Sequence, residues 1–344
     1  MEDQHPTVPS WTPEPPPRRR RFGPGLLAAA MAVLLLFGGA GLYAARQTAA
    51  RSAGAGSPEA AASGLLAAVG AKDPDRAARY LDGDERLLLA TYRGRLLAAL
   101  AGQNVAGLSA RDLQFRRVGG APGVAVLELA GGTVTVAAPN GTKVELPVAA
   151  LDQRLAEQTK GAVTAVRVVT VRSGDRWHVS LLATAAEQAR LAARAGQPDY
   201  ARLAAVRAAP GAGSPEAAAR GLAAALSTDP AGAYERLAPA ERAVYDAYGQ
   251  VLAAARGLAL RPGQAKVSGL RVRDERVADG VVRVRLVGGR VDLRGLPGTP
   301  ATVPLDRAAE TPYLVTIQRD GTWYPSLSFT ITDWLLAHPQ RERP

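Results

Sequence analysis

At 344 residues the chain has room for about two domains, and its apolar content (47% hydrophobic but only 5% aromatic) comes largely from Ala, Leu and Val, which bury less area each and favour small repeated cores over one large one. The absence of Cys excludes disulfides, thiolate catalysis, Cys-ligated metals and a lipid-modified N-terminal Cys. The net charge of +11 is carried almost wholly by Arg. It reads as the composition of a GC-rich genome or as attraction to anionic lipid or wall polymer; nucleic acid is not expected, because no basic stretch is interleaved with stacking aromatics.

Residues 1–24 are rich in Pro and lack periodic apolar residues, so a disordered tail with polyproline II character is expected. Residues 25–45, from Gly25 to Ala45, hold no charge. About twenty residues at 1.5 Å each cross a hydrocarbon core of about 30 Å, so a transmembrane helix is expected. Arg18 to Arg21 stand directly before it. The positive-inside bias then places the N-terminus in the cytoplasm and the remainder outside, in a single-pass cell-membrane protein. A retained anchor fits the long leading segment better than a cleaved signal, although the small residues at Tyr43-Ala44-Ala45 keep cleavage open.

A linker over 46–56 leads into a repeat. GSPEAAASGLLAAV from Gly56 returns as GSPEAAARGLAAAL from Gly213. Ser57 and Ser214 read as N-caps, Pro58 and Pro215 as first helical residues, and Glu59 and Glu216 as charges matched to the helix dipole. The likeness continues: Glu85-Arg86 answers Glu241-Arg242, Tyr92 answers Tyr248, and Trp177 answers Trp323. The offset, 157 residues between the two caps, drops to 146 between the two Trp, because the first copy has extra residues around Leu151 to Lys160. Each copy, over 57–185 and 213–338, opens with helices, the longest running from about Asp84 to Ala101 and from Pro239 to Arg256. Strands follow: Val124 to Leu129 and Thr133 to Ala137 read as a hairpin turning at Gly131-Gly132, and the last strands are expected over Arg176 to Leu182 and Thr322 to Ile331. Between the copies, 186–212 reads as a helical spacer broken near Gly196-Gln197-Pro198.

Helices first and antiparallel strands after make an α+β plan. The expected architecture is an N-terminal transmembrane helix followed by two repeated cone-like domains, each with helices packed on a curved antiparallel sheet. The Ser-Pro-Glu helix caps and the closing strands, Gly174 to Leu181 and Asp320 to Leu327, resemble the nuclear transport factor 2-like (cystatin-like) superfamily, in particular its secreted or anchored bacterial members of the cell envelope. That resemblance implies a cone with an open end, and residues of the isomerase or dehydratase kind where a member is an enzyme.

Chemistry is sparse along the chain. There is no HExxH, no GxSxG and no paired His for a metal, so neither metal nor cofactor is expected. His5 lies in the tail, His338 near the end, and His178 is answered by Tyr324. The ligand-pocket candidates are Tyr92, Trp177, Tyr245, Tyr248 and Trp323, with Asp246 beside them. Tyr92 and Tyr248 also lie on apolar stripes, which packing alone explains. The favoured reading is a non-catalytic, membrane-anchored extracytoplasmic binding or interaction protein, with the lipid bilayer, an envelope protein, a wall polymer or an apolar ligand as partner. The alternatives are a carrier of an apolar molecule or lipid in the cone, and an isomerase- or dehydratase-type enzyme.

Overall fold

The structure, a computed structural model, describes residues 54–101, 107–137, 140–205, 209–256, 265–293, 302–307 and 311–338. Its first half opens with α1 (Pro58–Gly70). The Ser57 hydroxyl accepts from the Ala60 N–H at 3.1 Å, Pro58 takes the first helical position where no N–H is needed, and Glu59 lies in the first turn. Next comes α2 (Pro74–Arg79), capped by Asp73 on the Arg76 N–H at 2.9 Å. The long α3 (Gly83–Ala101) precedes β1 (Gly107–Ala121), β2 (Val124–Ala137) and β3 (Lys143–Pro147). Then follow α4 (Val148–Gln158), β4 (Arg167–Ser173), β5 (Arg176–Ser180), α5 (Leu181–Ala192) and the short α6 (Ala201–Ala204).

The second half repeats this order without a counterpart of α4 or α6: α7 (Pro215–Thr228), α8 (Pro230–Ala233), the long α9 (Pro239–Arg256), β6 (Ala265–Ala278), β7 (Val281–Leu293), β8 (Thr302–Pro304), β9 (Tyr313–Arg319), β10 (Thr322–Ser326) and α10 (Leu327–Ala337). Both sheets are antiparallel and five-stranded. The first runs β1-β2-β4-β5 with β3 also on β2; the second runs β6-β7-β9-β10 with β8 also on β7. Registers correspond too: Val124 pairs with Val171 as Val281 pairs with Ile317, and Thr133 pairs with Pro147 as Arg290 pairs with Pro304.

The Gly-Gly pairs are not hairpin turns. β2 runs straight through Gly131-Gly132, and β7 through Gly288-Gly289. Gly132 has φ +109 and Gly289 φ +111, and a Cβ at Gly132 would sit 2.7 Å from the Asp112 carbonyl oxygen. Only Gly fits such a bend. The bend lets one strand pair with β4 along its first part and β3 along its second, which curls the sheet. The last strands are also shorter than expected. The chain leaves β5 at Ser180 and β10 at Ser326, and each serine caps a helix, on the Ala183 N–H and the Phe329 N–H, both at 3.2 Å.

Strand alternation gives each sheet two buried faces. In β2, Ala125 and Leu127 face α1, while Val124 and Val126 face the other way. What covers that other face comes from the opposite half. Ala247 and Tyr248 of α9 pack with Val124, Val126 and Val169, together with Ala183, Tyr200 and Leu203. Reciprocally, Tyr92 and Leu96 of α3 pack with Val281, Val315, Ile317 and Phe329 of the second half. The two long helices are thus exchanged between the halves.

One expectation is corrected. No helix among the described residues is long and apolar enough to cross a membrane, so the described fold is two α+β halves without a membrane-spanning helix. The span expected over 25–45 and the tail over 1–24 lie outside the described residues, as does most of the linker. The bilayer partner and the extracytoplasmic address rest on that span.

Candidate functional site

Among the described residues, three polar arrangements and a cavity stand out. The first arrangement lies where α3 and α9 begin. Glu85 of α3 is half-buried and accepts from the Ser180 hydroxyl at 3.1 Å and the Leu182 N–H at 2.8 Å. Glu241 of α9 does the same for α10, accepting from the hydroxyls of Ser326 and Ser328, both at 2.5 Å, and from the N–H groups of Leu327 at 2.8 Å and Ser328 at 2.9 Å. Each carboxylate therefore caps the helix that follows the last strand of its own half. Burial pushes Glu85 up to about 8, with Asp82 adding to the rise and the capping bonds opposing it. Burial also raises Glu241, against four capping bonds. Asp84 joins the two helix starts: it pairs with Arg319 of β9 and accepts from the Ala240 backbone of α9.

The second and third arrangements are a matched pair on the last helices. Glu187 of α5 is fully buried. It accepts from Arg190 at 2.7 and 2.9 Å, from Arg167 at 3.1 Å and from the Tyr200 hydroxyl at 3.1 Å. Burial alone would raise its carboxyl, but the Arg190, Arg167 and Tyr200 bonds win and hold it below the usual range. Asp333 holds the corresponding place in α10, also fully buried, with Arg283 at 2.6 and 2.9 Å and Arg95 at 2.9 Å. Arg95 comes from α3 of the other half, so this ion cluster ties the halves together. A buried charge left without its partners would cost several kcal/mol, which is why each acid is so fully engaged.

The cavity is in the first half. It measures about 60 Å³ and lies between α1, the curved sheet, α4 and α5. Its wall is apolar, with Leu65, Phe115, Leu129, Leu151 and Leu181 prominent and Arg167, Thr184 and Gln188 as its polar side chains. Arg167 is spoken for by Glu187 and Glu128, and the Thr184 hydroxyl by the Val169 N–H at 2.9 Å. The Gln188 side-chain amide donates to the Arg167 carbonyl at 3.1 Å, while its Oε1 is buried without a hydrogen-bond partner.

None of the five residues singled out from sequence lines this cavity. Tyr92 is in the core between the halves, 5.9 Å from the Phe329 ring, with the Arg95 guanidinium 5.0 Å from its centroid. Tyr248 is its counterpart, 6.1 Å from Tyr200. Burial raises both phenols further above their ordinary value, and the neighbouring Asp333 and Glu187 charges add to it. Tyr245 stacks on Tyr234 at 3.7 Å, and burial raises it too. Trp177 and Trp323 pair backbone-to-backbone with Ala55 and Ala212, just before the first helix of each half. Asp246 pairs with Arg242 at 3.7 Å. The cavity residues escaped sequence reading because they are ordinary core types; the one signal was the extra segment around Leu151, which is α4.

Among the described residues no group of His, Asp or Glu is arranged to hold a metal ion. No family model matches the chain, and no curated protein matches it. One solved structure, an NTF2-like protein involved in plasmid conjugation, is similar over 77% of this chain and 90% of its own, at 9% identity and a TM-score of 0.19. Its fold class is the one the sequence resembles, but at that score the two chains do not superpose as wholes, and the likeness carries no argument about this one.

Proposed function

We propose that this protein is a non-catalytic binding module whose first half takes the apolar end of a small molecule. The observation that carries the reading is the cavity: an apolar wall with one buried acceptor, Gln188 Oε1, left without a partner. A buried acceptor without a donor costs about 1–3 kcal/mol, which a ligand donor would recover. The ligand chemistry is therefore a short apolar body bearing one hydroxyl or amide N–H. The carrier reading gains from the same cavity, whereas the isomerase or dehydratase reading has no carboxylate or tyrosine on this wall to draw on. Of the acids beside it, Glu187 is held in ion pairs with Arg167 and Arg190, and Asp152 accepts from the Val166 backbone.

The test is a titration of the whole chain with short alcohols and primary amides, read by methyl chemical shifts of Leu65 and Leu151. Saturable shifts that vanish in a cavity-filling Leu151→Trp variant are the expected result. Absence of saturable shifts for every probe, in a chain that also shows no releasable small mass by native mass spectrometry, would overturn the reading.

A further inference from the structure

The two sheets share a register but not a charge pattern. On the face of the first sheet that carries Val124 and Val126, Arg116 of β1 stands directly opposite Glu128 of β2 and donates to its carboxylate at 2.5 Å. Arg167 of β4 flanks the same carboxylate. In the second sheet the matching pair is Arg273 of β6 and Arg285 of β7. The first sheet has Gln114 opposite Gly131, and the second has Arg271 opposite Gly288.

Alternation puts Arg271, Arg273 and Glu275 of β6 on one face with Arg283 and Arg285 of β7. Like charges directly opposite one another destabilise a sheet, so Arg273 facing Arg285 is unfavourable unless an anion joins them. The acid beside them is already shared. Glu275 accepts from Arg285 Nε at 2.6 Å and from Arg283 at 2.5 Å. Asp333 is taken up by Arg283 and Arg95. Arg271 and Arg273 are exposed and form no ion pair among the described residues. Arg271 is also laid across β7: a Cβ at Gly288 would lie 2.5 Å from its Nε and 2.6 Å from an Nη, so the bare glycine makes room for the guanidinium. The three arginine stems rise from points about 5–8 Å apart, a span over which forked donors can converge on one tetrahedral oxyanion.

We propose that Arg271, Arg273 and Arg285 form a binding site for a phosphate-type dianion, the phosphate of a phosphomonoester. Guanidinium forks match phosphate oxygens in geometry. Three of them, set against a carboxylate that Arg283 shares, carry more positive charge than a monoanion would neutralise. The site belongs to the second sheet, apart from the cavity of the first half, so its test is independent of the one above.

The experiment is a titration of the full chain with inorganic phosphate, ionic strength being held constant with sodium chloride, read by the Nε–H resonances of the arginines. Saturable shifts of Arg271, Arg273 and Arg285 are expected, several-fold weaker in affinity in Arg271→Gln and lost in Arg285→Glu. The second variant restores the arrangement of Arg116 and Glu128, so its melting without phosphate should be unchanged or raised, which separates lost binding from lost folding. Vesicles containing phosphatidic acid or phosphatidylglycerol then identify the source of the phosphate. A preference for phosphatidic acid that Arg285→Glu removes assigns it to a lipid headgroup; saturable shifts with free phosphate and no such preference assign it to a soluble phosphomonoester. Three results overturn the proposal: neither saturable shifts with phosphate nor a preference for phosphatidic acid; equal shifts with acetate; or phosphate binding that persists in Arg285→Glu.

Discussion

The two halves keep the same frame and differ in what they offer outward. Both have a Ser-Pro start, a bent second strand, a Glu that caps the helix following the last strand, and a buried acid six residues into that helix. They part at α4, which lines the small cavity of the first half and has no counterpart in the second; the second half also exposes Leu327, Ile331, Trp334 and Leu335 on α10. Among the features held in common, the exchanged helices join the halves, because each packs on the sheet of the other. The features that differ touch only one half, and so could change without disturbing the other.

The largest effect expected is at the matched acids. Removing one side of a buried ion cluster costs about 3–5 kcal/mol, so Asp333→Ala and Glu187→Ala should each lower stability by that order in urea unfolding. Asp333→Ala leaves Arg95, which belongs to the other half, without its carboxylate and Arg283 with Glu275 alone. A single cooperative transition is therefore expected in both variants; a two-step curve for Asp333→Ala would show that the halves unfold independently and break the comparison.

Next comes pH. Glu85 has its pKa raised from 4.5 to about 8 in the folded chain. Between those values the folded state holds a proton that the unfolded state has lost. Stability should therefore fall as pH rises from about 4.5 to 8, with Glu241, raised in the same direction, contributing to the same slope. Glu187 has the opposite sign: its lowered pKa gives stability that is lost as pH falls through the folded value. Melting temperatures across pH 4.5 to 8 should decline in the native chain and decline less in Glu85→Gln; an equal slope in both would remove Glu85 from the account.

Smaller effects sharpen the likeness of the halves. Ser57→Ala and Ser214→Ala each delete one cap bond of the same geometry and should cost about 1 kcal/mol apiece. Unequal losses would mean that one helix start is supported by something beyond its cap. Smallest of all is Tyr92→Phe. The Tyr92 hydroxyl is buried without a hydrogen-bond partner, so its removal should leave stability unchanged or slightly raised, by a few tenths of a kcal/mol.

Local features were the ones legible in the sequence. Ser57-Pro58 and Ser214-Pro215 announce helix starts because capping involves only neighbours along the chain. The long helices and most strands follow from periodicity for the same reason. Tyr92 and Tyr248 were legible as members of an apolar stripe, but not as members of the other half's core, since hydrophobic burial has no direction that a sequence can encode. Gly131-Gly132 looked like a turn because Gly permits both a turn and a bend within a strand; only the pairing partners decide. The cavity was hidden because Leu65, Leu151 and Leu181 are indistinguishable in type from filled core. Glu85 and Glu241 were seen as a matching pair, yet their role as caps depends on serines some ninety-five and eighty-five positions away.

The exchange of α3 and α9 also sets an order of events during synthesis. When the first half leaves the ribosome, its outer sheet face, with Val124, Val126 and Val169, is covered only by Ala183, Tyr200 and Leu203, because the helix that completes the seal is still to be translated. At ~5–20 residues per second that interval is on the order of several seconds. Throughout it, a nascent chain carries a partly unsealed apolar sheet, an aggregation-prone intermediate, and α9 completes the seal of the first half while α3 still waits for the second sheet.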